Sequence, residues 1–303
     1  MPSLILNTPA KINLGLDVGL RREDGYHAVS SVLQTVTVWD QLRLDEAEDV
    51  VLKSYHPDLG TSLNNLAVRA AQLLRQAAGV HCGVAIHLRK RIPIQAGLGG
   101  GSSDAAAVLL GCNRLWGLGW DVLRLVELGA RLGSDVPFFL YGGTAWVQGR
   151  GEVVRPLPPL PSWPVVLARS GPGMPTGAAY AALDRLGSWT HPDAGAVAEL
   201  CGARPGLRSG RARHRLALLA GNSFEDVVVP AHPQVRQLMD ALVDHGAVGC
   251  GLCGSGSAVW ALAPAVVWAR RVAAGLRARG VWAAAARFCS AGIHVPGGAG
   301  GAC

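Results

Sequence analysis

Between Pro93 and Ala107 the chain reads Pro-Ile-Gln-Ala-Gly-Leu-Gly-Gly-Gly-Ser-Ser-Asp-Ala-Ala-Ala, a composition suited to holding a polyphosphate. Gly97, Gly99, Gly100 and Gly101 lack the Cβ atoms that keep a backbone away from a bulky anion. Ser102, Ser103 and Asp104 then open an alanine-rich segment that reads as a helix, so the loop ends on a helix N-terminus. Free N–H groups there, with the positive end of the helix dipole, form a phosphate cradle. Glycine loops also serve as plain turns; the coincidence of glycine run, serine pair and helix start is what points to phosphate. Two familiar phosphate loops are excluded. No lysine follows Gly101, as a Walker loop requires. The preceding segment, Val84 to Arg91, alternates apolar and polar residues, the period of an antiparallel strand with one wet face rather than of the strand before a dinucleotide loop.

Other residues could carry chemistry. Lys11 is one of only three lysines, and its compact ammonium can approach a carboxylate and a reacting hydroxyl where a planar guanidinium cannot. A strand lysine more commonly points to water. Asp135, in Ser-Asp-Val-Pro, suits a helix N-cap as well as a proton acceptor, and the residues alone leave both open. Tyr26 and His27 follow an Asp-Gly turn signal, where an aromatic pair covers a core or offers a π-face and ring nitrogens to a ligand. Cys250 and Cys253 form a C-x-x-C, but no further ligands stand at zinc spacing, so two small residues in a tight glycine loop are expected and no metal.

The elements that must position these residues follow from periodicity. Strands are expected at Leu4–Leu6, Ile12–Val18 and Val32–Leu44, and a helix at Leu66–Ala77 that Gly79 stops. Helices are expected at Ser103–Leu115 and Asp121–Leu132, then at Gly177–Leu186 and Val266–Arg279. Residues 188–215, polar and rich in glycine and arginine, read as a mobile loop with a solvated basic face. The uncharged run Gly246–Ala269 is broken by glycines and Pro264, so it reads as a buried strand beside a glycine loop, not a membrane span. Four prolines in Pro156–Pro161 mark the boundary between an N-terminal unit, 1–155, and a C-terminal unit, 162–303. Helices mixed with alternating strands make this an α+β fold.

Half of the 303 residues are apolar and 16% are charged, which excludes a disordered chain. The net charge of +7 suits an enzyme of polyphosphate ligands, and would also suit RNA. With four Phe and four Tyr, and none in the arginine cluster at 204–215, the interleaved aromatic and basic residues of an RNA-binding face are missing. No basic region followed by an apolar core stands at the N-terminus, so a cytoplasmic protein without nucleic-acid or membrane partners is expected, as monomer or homodimer.

The glycine loop resembles the ATP loop of the GHMP kinases, small-molecule kinases of the galactokinase, homoserine kinase and mevalonate kinase group. Six further blocks follow the family order: Ala10–Leu16, Arg22–His27, Asn65–Ala71, Leu132–Phe139, and the C-terminal pair Gly221–Glu225 and Gly254–Ser257. Together they span almost the whole chain. The resemblance implies a two-domain fold, with an N-terminal half like the second domain of ribosomal protein S5, a ferredoxin-like C-terminal half, and the active site between them. It implies ATP as co-substrate, accompanied by Mg2+, held by Pro93, Ile94, Gln95, Ala96, Gly97, Leu98, Gly99, Gly100, Gly101, Ser102 and Ser103, with Asn65 near adenine or ribose. It makes Asp135 the proton acceptor and Lys11 its partner, which either orients that carboxylate or lowers the pKa of the acceptor hydroxyl. Asp-Gly-Tyr-His resembles the members whose alcohol carries a cytidine diphosphate. The reaction so implied is phosphorylation of the 2-hydroxyl of a diphosphocytidyl methylerythritol, in the non-mevalonate route to isoprenoids. Asn13, Tyr26 and His27 would then hold the cytidine end, with Thr176, Tyr180 and the second glycine loop, Gly254, Ser255 and Gly256, on the substrate side.

Overall fold

The computed structural model describes residues 3–54, 59, 64–203 and 210–296. Two long strands, β1 (Ser3–Arg21) and β2 (His27–Ala47), pair antiparallel from Ser3 opposite Asp45 to Arg21 opposite His27. The two short strands expected at Leu4–Leu6 and Ile12–Val18 are therefore one. Pro9 cannot donate to a ladder, and the register shift between Pro9 and Ala10 lets the strand continue past it. After β3 (Val50–Ser54), helix α1 (Leu66–Ala78) starts at Asn65, whose Oδ1 accepts from Ala67 N at 2.9 Å, and stops at left-handed Gly79. Strand β4 (Gly83–Arg89) is antiparallel to β2, as its alternation suggests, but parallel to β3 on its other side. Helices α2 (Gly100–Leu115), α3 (Val122–Ala130) and α4 (Val136–Tyr141) precede β5 (Thr144–Gln148) and β6 (Val153–Pro156). The sheet runs β3-β4-β2-β5-β6, with β1 also on β2, and its helices cover a core that includes Leu42, Leu44, Ile86, Leu109 and Phe138.

The proline run separates this sheet from a second one. It starts with β7 (Pro164–Arg169), followed by α5 (Thr176–Leu186), α6 (Ala194–Gly202), α7 (Gly210–Leu219), α8 (Glu225–Ala231) and α9 (Pro233–Asp244). Then come β8 (Gly249–Leu252), β9 (Ala258–Leu262), α10 (Val266–Ala278) and β10 (Trp282–Arg287). The order is β10-β7-β9-β8, antiparallel throughout. The uncharged run thus forms β8, a glycine loop and β9, and no helix of the described residues is long and apolar enough to cross a membrane. The two sheets share a core, in which Ile12, Leu14 and Val36 of the first meet Leu167, Trp260 and Phe288 from the second half.

The loop expected over 188–215 is a correction. It contains α6 and the start of α7, and Val197 of α6 packs directly beneath Gly15 of β1. The polar composition hid Ala194, Val197, Ala198 and Cys201, a buried helical face only four residues wide. Arg204 and Arg208, and the tail from Gly297, lie outside the described residues. Cys82, Cys112, Cys201, Cys250 and Cys253 are free thiols.

Candidate active site

A cleft of about 1100 Å³ opens between the two sheets. Its floor is the glycine loop, and the glycines there have distinct jobs. A Cβ on Gly97 (φ 78°) would collide with the carbonyl of Cys253, and one on Gly99 (φ 71°) would press on Phe139 and the Lys11 stem. At Gly100 it would lie 3.0 Å from Lys90 Nζ and from Ile92. Gly101 alone of the four is open, with only Leu66 Cδ1 at 3.8 Å. Three of these glycines thus let protein approach protein, and one leaves room for a ligand. Backbone bonds lock the loop: Lys11 N donates to Leu98 O at 3.0 Å, and Ala258 N donates to Ala96 O at 3.1 Å. Gly99 caps α2 with no side-chain bond, so the first-turn N–H groups face the cleft without a cap.

Beneath that turn lies a buried charge cluster. Lys90 Nζ donates to Asp40 Oδ2 and, at 2.8 Å, to Asp104 Oδ2, while Thr8 Oγ1 donates to Asp104 Oδ1 at 2.9 Å. Burial pushes the Asp104 carboxyl up to about 6, with Lys90 pulling it down and Asp40 pushing it further up. Burial pulls the Lys90 ammonium down, but the two carboxylates outweigh it and leave it raised. The cluster ties the first turn of α2 to β1, β2 and the end of β4.

Lys11 and Asp135 meet at the centre of the cleft, Nζ to Oδ2 at 3.7 Å. That is an ion pair longer than a hydrogen bond. Asp135 begins α4, yet its side chain makes no capping bond, so the cap reading of this residue fails. Its carboxylate is 37% exposed against 5% for the Lys11 side chain, leaving it accessible to a ligand. Lys11 Nζ is aimed by Asn13, whose Oδ1 accepts from it at 2.9 Å and from Gly254 N at 3.0 Å. Asn13 Nδ2 donates to Ser31 Oγ at 2.9 Å, and Ser31 Oγ to Gly15 O at 2.6 Å. Asn13, expected to hold a base, lines the cleft and is buried within a network that positions the lysine and the second glycine loop. Asn222 fastens that loop from behind through Nδ2 bonds to Leu252 O and Gly254 O.

The far wall is aromatic. His27 stacks on Tyr180, ring centroids 5.0 Å apart, and Tyr180 meets Phe224 edge-on at 4.9 Å. His27 Nδ1 lies 2.9 Å from Gly19 O; a carbonyl only accepts, so Nδ1 carries the hydrogen. Nε2 is 3.1 Å from Asp184 Oδ1 but poorly aligned for a hydrogen bond. Burial, then the nearby Asp135 charge, pushes the Tyr180 hydroxyl up to about 12. Tyr26 is 56% exposed, with the Arg150 guanidinium 4.9 Å from its ring centroid. Thr176 Oγ1 and Ser255 Oγ, 3.2 Å apart, join the start of α5 to the second glycine loop. Of the anticipated residues, Ser103 and Gly256 are absent from the cleft wall, and Asn65 lines it while capping α1.

The sequence profile of the GHMP kinases N terminal domain matches residues 65–143, and that of the GHMP kinases C terminal domain matches residues 203–280. A 4-diphosphocytidyl-2-C-methyl-D-erythritol kinase of Symbiobacterium thermophilum is 44% identical over 258 residues, 84% of this chain and 89% of that one. The chain is a GHMP kinase. A crystal structure of a 4-(cytidine 5'-diphospho)-2C-methyl-D-erythritol kinase superposes on this kinase with a TM-score of 0.76 at 37% identity, over 95% of this chain and 99% of the other. A homoserine kinase from Cytophaga hutchinsonii superposes with a TM-score of 0.68 at 20% identity, covering 97% and 98%, which shows the shared fold. As a GHMP kinase, the protein is an ATP-dependent small-molecule kinase with the two-domain α+β fold of that family.

Among the described residues no three His, Cys, Asp or Glu gather to hold a metal, and Asp104 is closed off by Lys90 and Thr8. Ser103 Oγ is buried without a hydrogen-bond partner, away from the cleft wall. Sequence reasoning missed Asp184 and Arg150, which both line the cleft. Asp184 had a signal: Thr176, Tyr180 and Asp184 recur every four residues on α5, one helix face. Arg150 had none beyond its Gly-Arg-Gly turn.

Proposed function

We propose that this kinase transfers the γ-phosphoryl group of ATP to the 2-hydroxyl of 4-diphosphocytidyl-2-C-methyl-D-erythritol, a step of the non-mevalonate route to isoprenoid precursors, in the cytoplasm. The observation that carries this reading is the placement of the accessible Asp135–Lys11 pair between a backbone phosphate loop and an aromatic wall. Phosphoryl transfer asks a protein for grip, alignment, a proton acceptor and charge neutralisation more than for covalent chemistry. In this reading the first-turn N–H groups of α2, with open Gly101, grip the ATP phosphates. Asp135 takes the proton of the acceptor hydroxyl as the phosphoryl group arrives. Lys11, aimed by Asn13, holds the carboxylate in place and neutralises charge developing on the oxygen. Mg2+ accompanies ATP as a partner of its phosphates, with no ligand cage assigned to the protein.

The cytidine end lies against Tyr26, His27 and Tyr180, and Thr176 with Ser255 closes over the substrate. We also take the proline run as the divide between the units 1–155 and 162–303. Steady-state phosphorylation with ATP tests the substrate: the diphosphocytidyl alcohol should be used far better than methylerythritol phosphate, homoserine or mevalonate. Equal use of methylerythritol phosphate, or preference for either of the others, would remove the substrate assignment and leave only the kinase.

A further inference from the structure

The substrate reading leaves one chemical requirement unmet by the residues named so far. A diphosphate lies between the base and the reacting alcohol, and its negative charge needs a cation along the path from Tyr26 to Asp135. Four described cations line the cleft. Lys11 is engaged with Asp135 and Asn13, and Lys90 is buried between Asp40 and Asp104. Arg21, whose Nε donates to Gly25 O, ends β1 opposite His27 and so stands at the outer end of that path alone, not between its two ends.

Arg150 remains, and the fold puts it at the required place. It sits in the turn between β5 and β6, flanked by Gly149 (φ 77°) and Gly151 (φ 106°). At one end Gly149 O accepts from Val29 N at 2.8 Å, which pins the turn beside His27. At the other end a Cβ on Gly151 would stand 3.2 Å from the Cβ of Ser134, next to Asp135. The turn therefore bridges the two ends that the diphosphate must also bridge. The guanidinium is laid over the Tyr26 ring. Glu152 fixes the turn, accepting from Arg150 N at 2.6 Å and lying 3.6 Å from Arg150 Nε. Neither terminal Nη forms a hydrogen bond among the described residues, so the planar fork is left to meet a phosphate.

We infer that Arg150 is the diphosphate-binding residue of the acceptor site, pairing its terminal nitrogens with the diphosphate while its plane rests on Tyr26. The inference depends on the substrate reading above, and the test separates the two. Calorimetric titration of the whole chain would compare cytidine 5'-diphosphate with cytidine. Wild-type protein should bind the diphosphate at least about tenfold more tightly, the range for charge-assisted hydrogen bonds. Arg150→Gln should abolish that preference while leaving cytidine affinity within about threefold; Arg150→Lys should restore part of it. KM for the diphosphocytidyl alcohol should rise about 10- to 100-fold in Arg150→Gln, with KM for ATP unchanged. If wild-type protein binds neither ligand, the substrate reading falls and this inference with it. If wild-type prefers the diphosphate and Arg150→Gln keeps that preference, or Arg21→Gln loses it instead, the substrate reading stands and the assignment to Arg150 is wrong.

Discussion

In the proposed reading, the nucleotide end of the cleft is walled by backbone, whereas the acceptor end is walled by side chains carried by three separate elements. The glycine loop is locked by Lys11, Cys253 and Ala258 and underlain by a buried lysine with two carboxylates. The acceptor end gathers Tyr26 from a hairpin turn, Tyr180 from α5 and Arg150 from the β5–β6 turn, all lining open space. A backbone site recognises what every ATP offers, and side chains are shared between packing and recognition. Side chains on exposed turns can change identity without disturbing the loop. On the proposed reading, the acceptor end can therefore vary between kinases that keep the same fold, and the fold itself is shared with the superposed homoserine kinase at 20% identity.

Asp135 stands where the two ends meet, and its loss should have the largest effect. Asp135→Asn keeps the shape and removes the proton acceptor, so kcat should fall by roughly 10² or more while an ATP analogue still binds. A folded variant with near-normal kcat would leave the pair without a catalytic task. The next test divides the glycines. Gly97→Ala forces a Cβ into the Cys253 backbone at positive φ and should cost about 2–4 kcal/mol of stability, read as a lowered Tm. Gly101→Ala, on the open side, should leave Tm unchanged and weaken ATP-analogue binding. The comparison breaks if Gly97→Ala is as stable as wild type.

At the acceptor end, Tyr26→Ala should raise KM for the diphosphocytidyl alcohol about 10- to 100-fold, the worth of a stacked base, with KM for ATP nearly constant. Equal changes in both constants would mean that the two ends are not independent. The smallest effect concerns the buried cluster. Burial raises the Asp104 carboxyl from 3.8 to about 6, so the folded chain binds that proton more tightly than the unfolded one. Its contribution to stability is therefore full below 3.8 and lost as the pH rises through about 6. Tm, measured across that window, should fall by a few degrees more in wild type than in Asp104→Asn; parallel curves would place the titration elsewhere.

Much of this was legible in the chain. The glycine loop, the helices after it and the Asp135 block are local signals, readable because caps, glycines and helical periodicity act over a few residues. What stayed hidden depends on distant partners. Asn13 reads as a ligand-facing amide, and its bond from Gly254, at the other end of the chain, shows only in the fold. Gly100 reads as space for phosphate until Lys90 is found filling it. The helix α6 was invisible because its apolar face is short and its neighbours are polar, and only packing on β1 selects it.

The contact between Gly97 and Cys253 also sets an order of events during synthesis. The chain emerges from the ribosome N-terminus first, and long-range contacts wait for their later partner. The glycine loop, complete in sequence by Ser103, has no Cys253 carbonyl to dock on, no Ala258 N–H to accept from and no Gly254 beside Lys11 until β8 and β9 have emerged. A nascent chain stalled at the proline run should hold the hydrophobic core of its first sheet but lack a rigid nucleotide site.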